Sequence, residues 1–420
     1  MDRRRFLQSG SATLAAAALP AGAATANAVV GVGSNSDPYQ ATSAAIAATG
    51  TWPGTRLSGK TVFIKPNLVA ALPASSGATT DPEVVRCVVD LALNAGAAAV
   101  IIVEAGRPGA FFDACGYSFF RSYHPRVSLV DLGSQPTALT PVPSGYNYGA
   151  FWMATLLNQP NSFFISVAKL KTHALSGATA SCKNLFGIID IKSYLAAPHP
   201  QGRFALHDRG LTMSIVDSNR LKKIDYAIID GVYGMEGPGP LNGTPVQMDL
   251  VLAGSNAVSV DSVALSVMRV PLSAVPHLST LGKLGFGPTD LTKITVSGAS
   301  FTPRTFARTA TPPNVALPTL SVPSFSPSAG QTLGITQVFS EAVIRFVEVL
   351  SLTDQSPTAT LLRTVAPQAS VAAGVRDSLT WDGRATSGAL VPAGRYAVHT
   401  RAVKTNVQAP GDAISWVTIT

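Results

Sequence analysis

The densest chemical feature of the chain is the run Lys169-Leu170-Lys171-Thr172-His173. On an extended backbone, side chains alternate, so Lys169, Lys171 and His173 share one face. Adjacent cationic and donor groups repel one another unless an anion or carboxylate lies between them. The pattern fits a pocket for a small anionic ligand, a phosphate or a carboxylate. The competing reading is a solvated strand end with both ammonium groups in water. His173 is the leading acid–base residue, because an unperturbed imidazole titrates near neutrality. Lys171 is the second catalytic candidate. A lysine such as Lys65 or Lys169 serves as a base where a dry pocket lowers its pKa.

Other segments add ligand-binding candidates: Lys65 and Asn67 in Lys65-Pro66-Asn67, then Lys183 and Asn184. A further stretch, Gly231 to Pro240, is rich in Gly and Pro. Its glycines, Gly237 among them, permit close backbone approach to a ligand, whereas its prolines remove amide donors. Asp230 and Glu236 offer hard oxygen ligands for a metal cation, with Asp261 as a third. His199 and His207 lie in a polar loop and are expected in solvent. Neither a Gly-x-Ser-x-Gly elbow nor a His-Glu-x-x-His pair occurs, so serine-hydrolase and zincin chemistry have no support. The stretch from Gly231 matches neither the P-loop nor the dinucleotide fingerprint.

These residues need elements to bring them together. Thr61 to Lys65 is β-branched and apolar, and reads as a buried strand. Thr80-Asp81-Pro82-Glu83 opens a helix with a capping side chain, an early proline and an acid at the positive dipole end. Valines follow at helical spacing, and Asn94-Ala95-Gly96 closes the helix. Ala99 to Glu104 is the next strand. The unit is βαβ, which implies a parallel sheet with a right-handed crossover. Further strands are expected over 127–131, 163–169, 226–230, 249–253 and 293–296. In an open α/β sheet, ligands bind beyond the carboxyl ends of the strands. Lys65, Glu104, the 169–173 run and Asp230 all stand at such ends.

The 420 residues carry a formal net charge of +8 and only 13% charged residues, about half of the usual ~25%. With 46% hydrophobic residues there is ample material for packed cores. The positive charge forms no basic stripe interleaved with aromatics, which argues against a nucleic-acid reader. Cys87, Cys115 and Cys182 lack C-x-x-C spacing, so no iron–sulfur or zinc framework is present. Their expected state is burial as small apolar groups.

The start, Met1-Asp2-Arg3-Arg4-Arg5-Phe6-Leu7, an Ala-rich run and Ala26-Asn27-Ala28, has the parts of a secretory signal. Its paired arginines resemble a twin-arginine signal, implying export of the folded chain through the twin-arginine machinery. Removing residues 1–28 takes away three Arg and one Asp and lowers the charge from +8 to +6. No later stretch has ~18 unbroken apolar residues, so no membrane span is expected after cleavage. The location expected is periplasmic or extracellular, at the cell envelope.

The fold class expected is α/β over 29–297, a mostly parallel sheet flanked by helices. From Leu291 to Ser340 there is no Asp or Glu, and prolines crowd the segment. Residues 298–330 therefore read as a linker. Residues 331–420 read as a small all-β sandwich, with only Glu341 to Leu350 allowing a helix.

Six stretches resemble the family of domain of unknown function 362. They are Ile64 to Val69, Thr80 to Val85, Lys169 to His173, Cys182 to Gly187, Asp230-Gly231 with Met235 to Pro240, and Ala257 to Asp261. The resemblance covers about half of the chain in the family's order. Many members carry a ferredoxin-like segment with clustered cysteines. This chain has none, so electrons for a redox reaction would come from a redox partner. The Thr-Asp-Pro helix after a strand is also similar to the amino-terminal domain of nickel-pincer lactate racemases, which implies fold alone. Trp381-Asp382-Gly383 and Val391 to Tyr396 resemble the Ig-like domain of flagellar hook-capping proteins. The expectation is thus an exported protein that binds or acts on a small anionic ligand. The sequence names no cofactor. The alternative is a non-catalytic envelope-associated binding or scaffold protein whose Ig-like domain mediates assembly.

Overall fold

The computed structural model describes residues 28–106, 109–194, 206–207, 210–351, 360–405, 407 and 411–420. The expected signal, except Ala28, and His199 lie outside the described residues.

The amino-terminal two thirds carry strands β1 (Ala28–Ser34), β2 (Thr61–Pro66), β3 (Ala99–Glu104) and β4 (Val127–Asp131). A separate hairpin, β5 (Thr137–Pro141) and β6 (Ala150–Ala154), precedes β7 (Ser162–His173), β8 (Gly177–Thr179), β9 (Tyr226–Glu236), β10 (Thr244–Gly254) and β11 (Ile294–Gly298). The main sheet runs β11-β1-β10-β9-β7-β2-β3-β4, with β8 paired to β7. From β9 to β4 every neighbour is parallel. Strand β10 is antiparallel to both β9 and β1. Alternation feeds two cores. In β2, Val62 and Ile64 face helices α1 (Pro38–Thr49) and α2 (Pro82–Asn94). Phe63 faces the opposite core, built with the helices Leu211–Leu221, Ala257–Val267 and Pro276–Lys283.

Helix α2 starts as its sequence implies: Asp81 accepts the Glu83 N–H at 2.8 Å and Pro82 fills the first turn. Strand β1 and helix α1 left little signal, being built mostly of small residues without a clear apolar period. Their close contact depends on glycine. A Cβ on Gly31 would sit 2.0 Å from the Ala45 carbonyl oxygen, and one on Gly33 1.9 Å from that of Ala41. All three cysteines are buried, and none is in a disulfide among the described residues.

The carboxyl-terminal third is all β. Within the expected linker, β12 (Thr319–Leu320) and β13 (Ser324–Phe325) pair with the terminal strands. Next come β14 (Leu333–Val338), β15 (Val343–Ser351), β16 (Thr360–Val371), β17 (Arg376–Trp381), β18 (Gly394–Val403) and β19 (Gly411–Ile419). They form sheets β12-β14-β17 and β13-β19-β18-β15-β16, which enclose a core containing Leu333, Ile335, Val347, Val398 and Trp381. The region 341–350 is strand, not helix: Val343, Arg345, Val347 and Val349 are buried and the intervening residues less so, the period-two signature of a half-buried strand. The two regions are joined by Trp416, whose indole N–H donates to the Tyr146 carbonyl at 2.8 Å. Asp217 accepts the N–H groups of Tyr146, Asn147 and Tyr148 at 2.7–2.9 Å and so fastens that loop.

Candidate functional site

Neighbouring strands β2 and β7 send the chain to opposite faces. After β2 it enters α2 on one face. After β7 it crosses the other face through the short helix Ser181–Asn184 and the helix Leu211–Leu221. Such a reversal opens a crevice at the carboxyl ends of the two strands. A cavity of about 390 Å³ lies there, lined among others by Lys65, Asn67, Glu104, Lys171, His173 and Lys183, with Asn184 beside them. Six of the residues singled out from sequence thus meet around one space, together with Glu104.

One wall is a fixed network. Lys65 Nζ donates to Glu104 Oε2 at 2.7 Å, to the Pro66 carbonyl at 2.9 Å and to Asn184 Oδ1 at 3.2 Å. Glu104 also accepts the N–H groups of Leu68 and Ala105. Asn184 donates to the Lys65 carbonyl and to Ser166 Oγ, and accepts from Asn67 Nδ2. Gly187 has to lack a side chain, since a Cβ there would stand 2.5 Å from Lys65 Nζ. Asn67 Oδ1 is buried without a partner among the described residues. Asp261, one of the residues read as a metal ligand, instead accepts the N–H groups of Ser181 and Cys182 at 2.8 and 2.9 Å. It thereby anchors the turn that carries Lys183 and Asn184, a position where a carboxylate also meets the positive end of the backbone dipoles.

The other wall is electropositive. Lys171 is fully buried, and its Nζ donates to the Ala78 carbonyl at 2.6 Å. Burial first, then the Lys183 and Lys169 charges, hold its amine well below the usual lysine range. Lys183 lies 5.6 Å from the centre of the Phe186 ring. His207, expected in solvent, also lines the cavity and meets that ring edge-on.

His173 differs from a free imidazole. Its Nδ1 accepts the backbone N–H groups of Leu175 and Ser176 at 3.0 and 3.3 Å. Nδ1 therefore has no proton, and the neutral ring carries its proton on Nε2. Burial, then the charge of Lys183, keeps the ring well below its usual titration range. His173 is built to donate a hydrogen bond rather than to act as a base.

Besides Asp261, four sequence candidates lie outside the cavity lining. Lys169 shares its strand face with Lys171 but stands two residues deeper, about 7 Å at the rise of a strand. Its Nζ pairs with Asp230 Oδ2 at 2.7 Å, and both side chains are fully buried. Asp230 accepts the N–H groups of Asp81 and Val232 as well. This is a structural ion pair beneath the start of α2, and Asp81 beside it is pushed up to about 6 by burial and by the Asp230 charge. Glu236 accepts the Ala307 N–H and faces Arg304. Asp230 and Glu236 therefore do not converge, and no cluster of three metal-ligating side chains occurs among the described residues. Gly237 donates its N–H to the Ala307 carbonyl, while Pro240 and Leu241 supply the cavity wall from this segment.

His277 gave no sequence signal. It is buried, its Nδ1 has no partner among the described residues, and burial followed by the Lys183 charge lowers it to about 3. Its folded pKa lies below the unfolded value near 6.5. Its contribution is complete above that pH and is lost as pH falls towards 3. From pH 6.5 to 5 the loss is about 2 kcal/mol. Asp217 and Asp261, both raised to about 6 by burial, act with the opposite sign over the same range. The variant is therefore compared with its parent. His277→Gln should lose less stability than the parent between pH 7 and 5 in urea titrations; equal losses would show that the ring does not titrate in this way.

Fold and cavity together define an open α/β domain with a cavity at the carboxyl ends of its central strands. Residues 62–266 match the family model described as "Domain of unknown function (DUF362)", a span that includes every strand end around the cavity. The chain is 26% identical over 242 residues to the "Thylakoid-associated protein sll1697" of Synechocystis sp., covering 55% of this chain and 70% of that protein. Among solved structures, a β-glucosidase from Erythrobacter marinus aligns over 93% of this chain and 49% of its own, at 10% identity and a TM-score of 0.16. That score carries no argument about fold or activity.

Proposed function

We propose that this is an exported member of the family of domain of unknown function 362 whose cavity binds a small anion and moves a proton on it. The observation that carries this reading is Lys171: a fully buried amine with one carbonyl acceptor and no carboxylate of its own. Burying such a group is costly unless a counter-charge arrives. Glu104 is committed to Lys65, so a bound anion is the counter-charge that would favour the ammonium form of Lys171. Lys183 adds attraction. His173 Nε2–H donates to a ligand oxygen, and Asn67 Oδ1 accepts from a ligand hydroxyl or amide. With its pKa lowered by burial, the Lys171 amine sheds its proton more readily than an ordinary lysine and takes one up as the anion binds. Export rests on the arginine pair and Ala-rich start; no described helix is long and apolar enough to cross a membrane. The terminal sheets are read as Ig-like on the buried Trp381 and on Tyr396, whose hydroxyl donates to the Pro392 carbonyl four residues upstream, as in the tyrosine corner of such domains.

The test is calorimetric titration with inorganic phosphate in buffers of different ionisation heat. An anion stabilises the Lys171 ammonium, so binding takes up a proton. Affinity should rise as pH falls, by up to about tenfold per pH unit for one linked proton. Binding without proton uptake would remove the basic role of Lys171, and absence of binding would remove the anion site.

A further inference from the structure

A second cavity of about 520 Å³ lies between the α/β region and the terminal sheets. It shares two wall residues, Leu175 and His207, with the lysine-lined cavity. The two spaces therefore adjoin at those side chains. The far wall comes from the terminal sheets and holds an Arg–Glu ion pair and a His–Asp hydrogen bond. Arg401 Nη2 donates to Glu348 Oε2 at 3.2 Å, and His399 Nε2 lies 3.2 Å from Asp412 Oδ2. Arg401 Nε is buried without a partner among the described residues. Leu211, Pro312 and Pro313 supply apolar surface.

The Arg401 charge is matched by Glu348, and the Asp412 carboxylate stands beside His399, so this cleft does not attract a second anion. It instead sets fixed donors beside fixed acceptors, with apolar walls around them. A hydroxyl both donates and accepts, and a sugar ring combines several hydroxyls with apolar C–H faces. We infer that the interdomain cleft is the second half of the ligand site, and that it takes the hydroxyl-bearing body of a sugar acid or sugar phosphate whose anionic group lies among Lys65, Lys171 and Lys183. This inference rests on the anion-site reading above and adds the substrate class and a role for the terminal sheets.

The full chain is titrated with inorganic phosphate and glucose 6-phosphate, and with acetate and glucuronate. In at least one pair the sugar-bearing anion should bind ten or more times tighter than its bare counterpart. Arg401→Met should abolish that gain and leave the bare anion unaffected. Thr212→Trp, which fills the cleft from the helix Leu211–Leu221 and keeps the Arg401–Glu348 and His399–Asp412 contacts, should do the same, so a folding defect in Arg401→Met leaves the result readable. Bare anions that bind as tightly as their sugar forms, or a gain that survives Thr212→Trp, would overturn the cleft and leave the anion site standing. No binding of any of the four would overturn both.

Discussion

Lys171→Met should stabilise the unliganded protein while abolishing phosphate binding. The lysine stem is fully buried, and its amine has one carbonyl acceptor. Methionine keeps most of the apolar volume and removes a group that is costly to bury. Replacing buried ionic groups by hydrophobic residues of similar volume is often neutral or stabilising, by about 1–4 kcal/mol, and a buried amine forced below its usual titration range carries the same kind of cost. A gain near 2 kcal/mol would raise Tm by roughly 4–8 °C for a domain of this size. Phosphate affinity should fall at least 100-fold, since Lys171 supplies the only ammonium on this wall that lacks solvent. Stability and function then move in opposite directions, the mark of a residue kept for its chemistry. A destabilised variant that still binds phosphate would show that Lys171 is structural.

Lys169→Met, two positions away, should have the opposite effect. Its ammonium is the counter-ion of Asp230, and both are fully buried. Removing it leaves a buried carboxylate beside Asp81, a loss of about 3–5 kcal/mol. Adding Asp230→Asn keeps an oxygen for the Asp81 N–H and drops the stranded charge, so the double variant should recover much of the loss. Urea denaturation of the single and double variants decides the matter. Additive losses in the double variant would show that the pair is not coupled.

The contrast between these two lysines marks what the sequence could tell. Alternation correctly places Lys169, Lys171 and His173 on one face, and the βαβ pattern correctly brings the strand ends of β2 and β7 to one edge. Depth along the strand is a tertiary property: it depends on which residue of β9 lies alongside, and that residue is Asp230 for Lys169. The role of Glu104 was hidden for the same reason, because its partner Lys65 is on another strand. The proton position on His173 is set by the backbone N–H groups of residues 175 and 176, in a turn with no distinctive composition. His207 looked exposed because its surroundings in sequence are polar, yet it packs against Phe186. The strand at 343–351 was legible in its alternation, although Glu341 to Leu350 also allowed a helix.

The seam at Trp416 has a wider consequence. Asp217 pins the loop that receives the indole, so the carboxyl-terminal sheets grip a rigid part of the α/β region instead of trailing from it. A chain ended after Gly298 would bare the Tyr146 carbonyl, strip one wall from the larger cleft and leave half a binding site open to water. Natural variation in length or sequence of the terminal sheets would then retune ligand choice without touching the lysines, much as exchangeable jaws fit one handle.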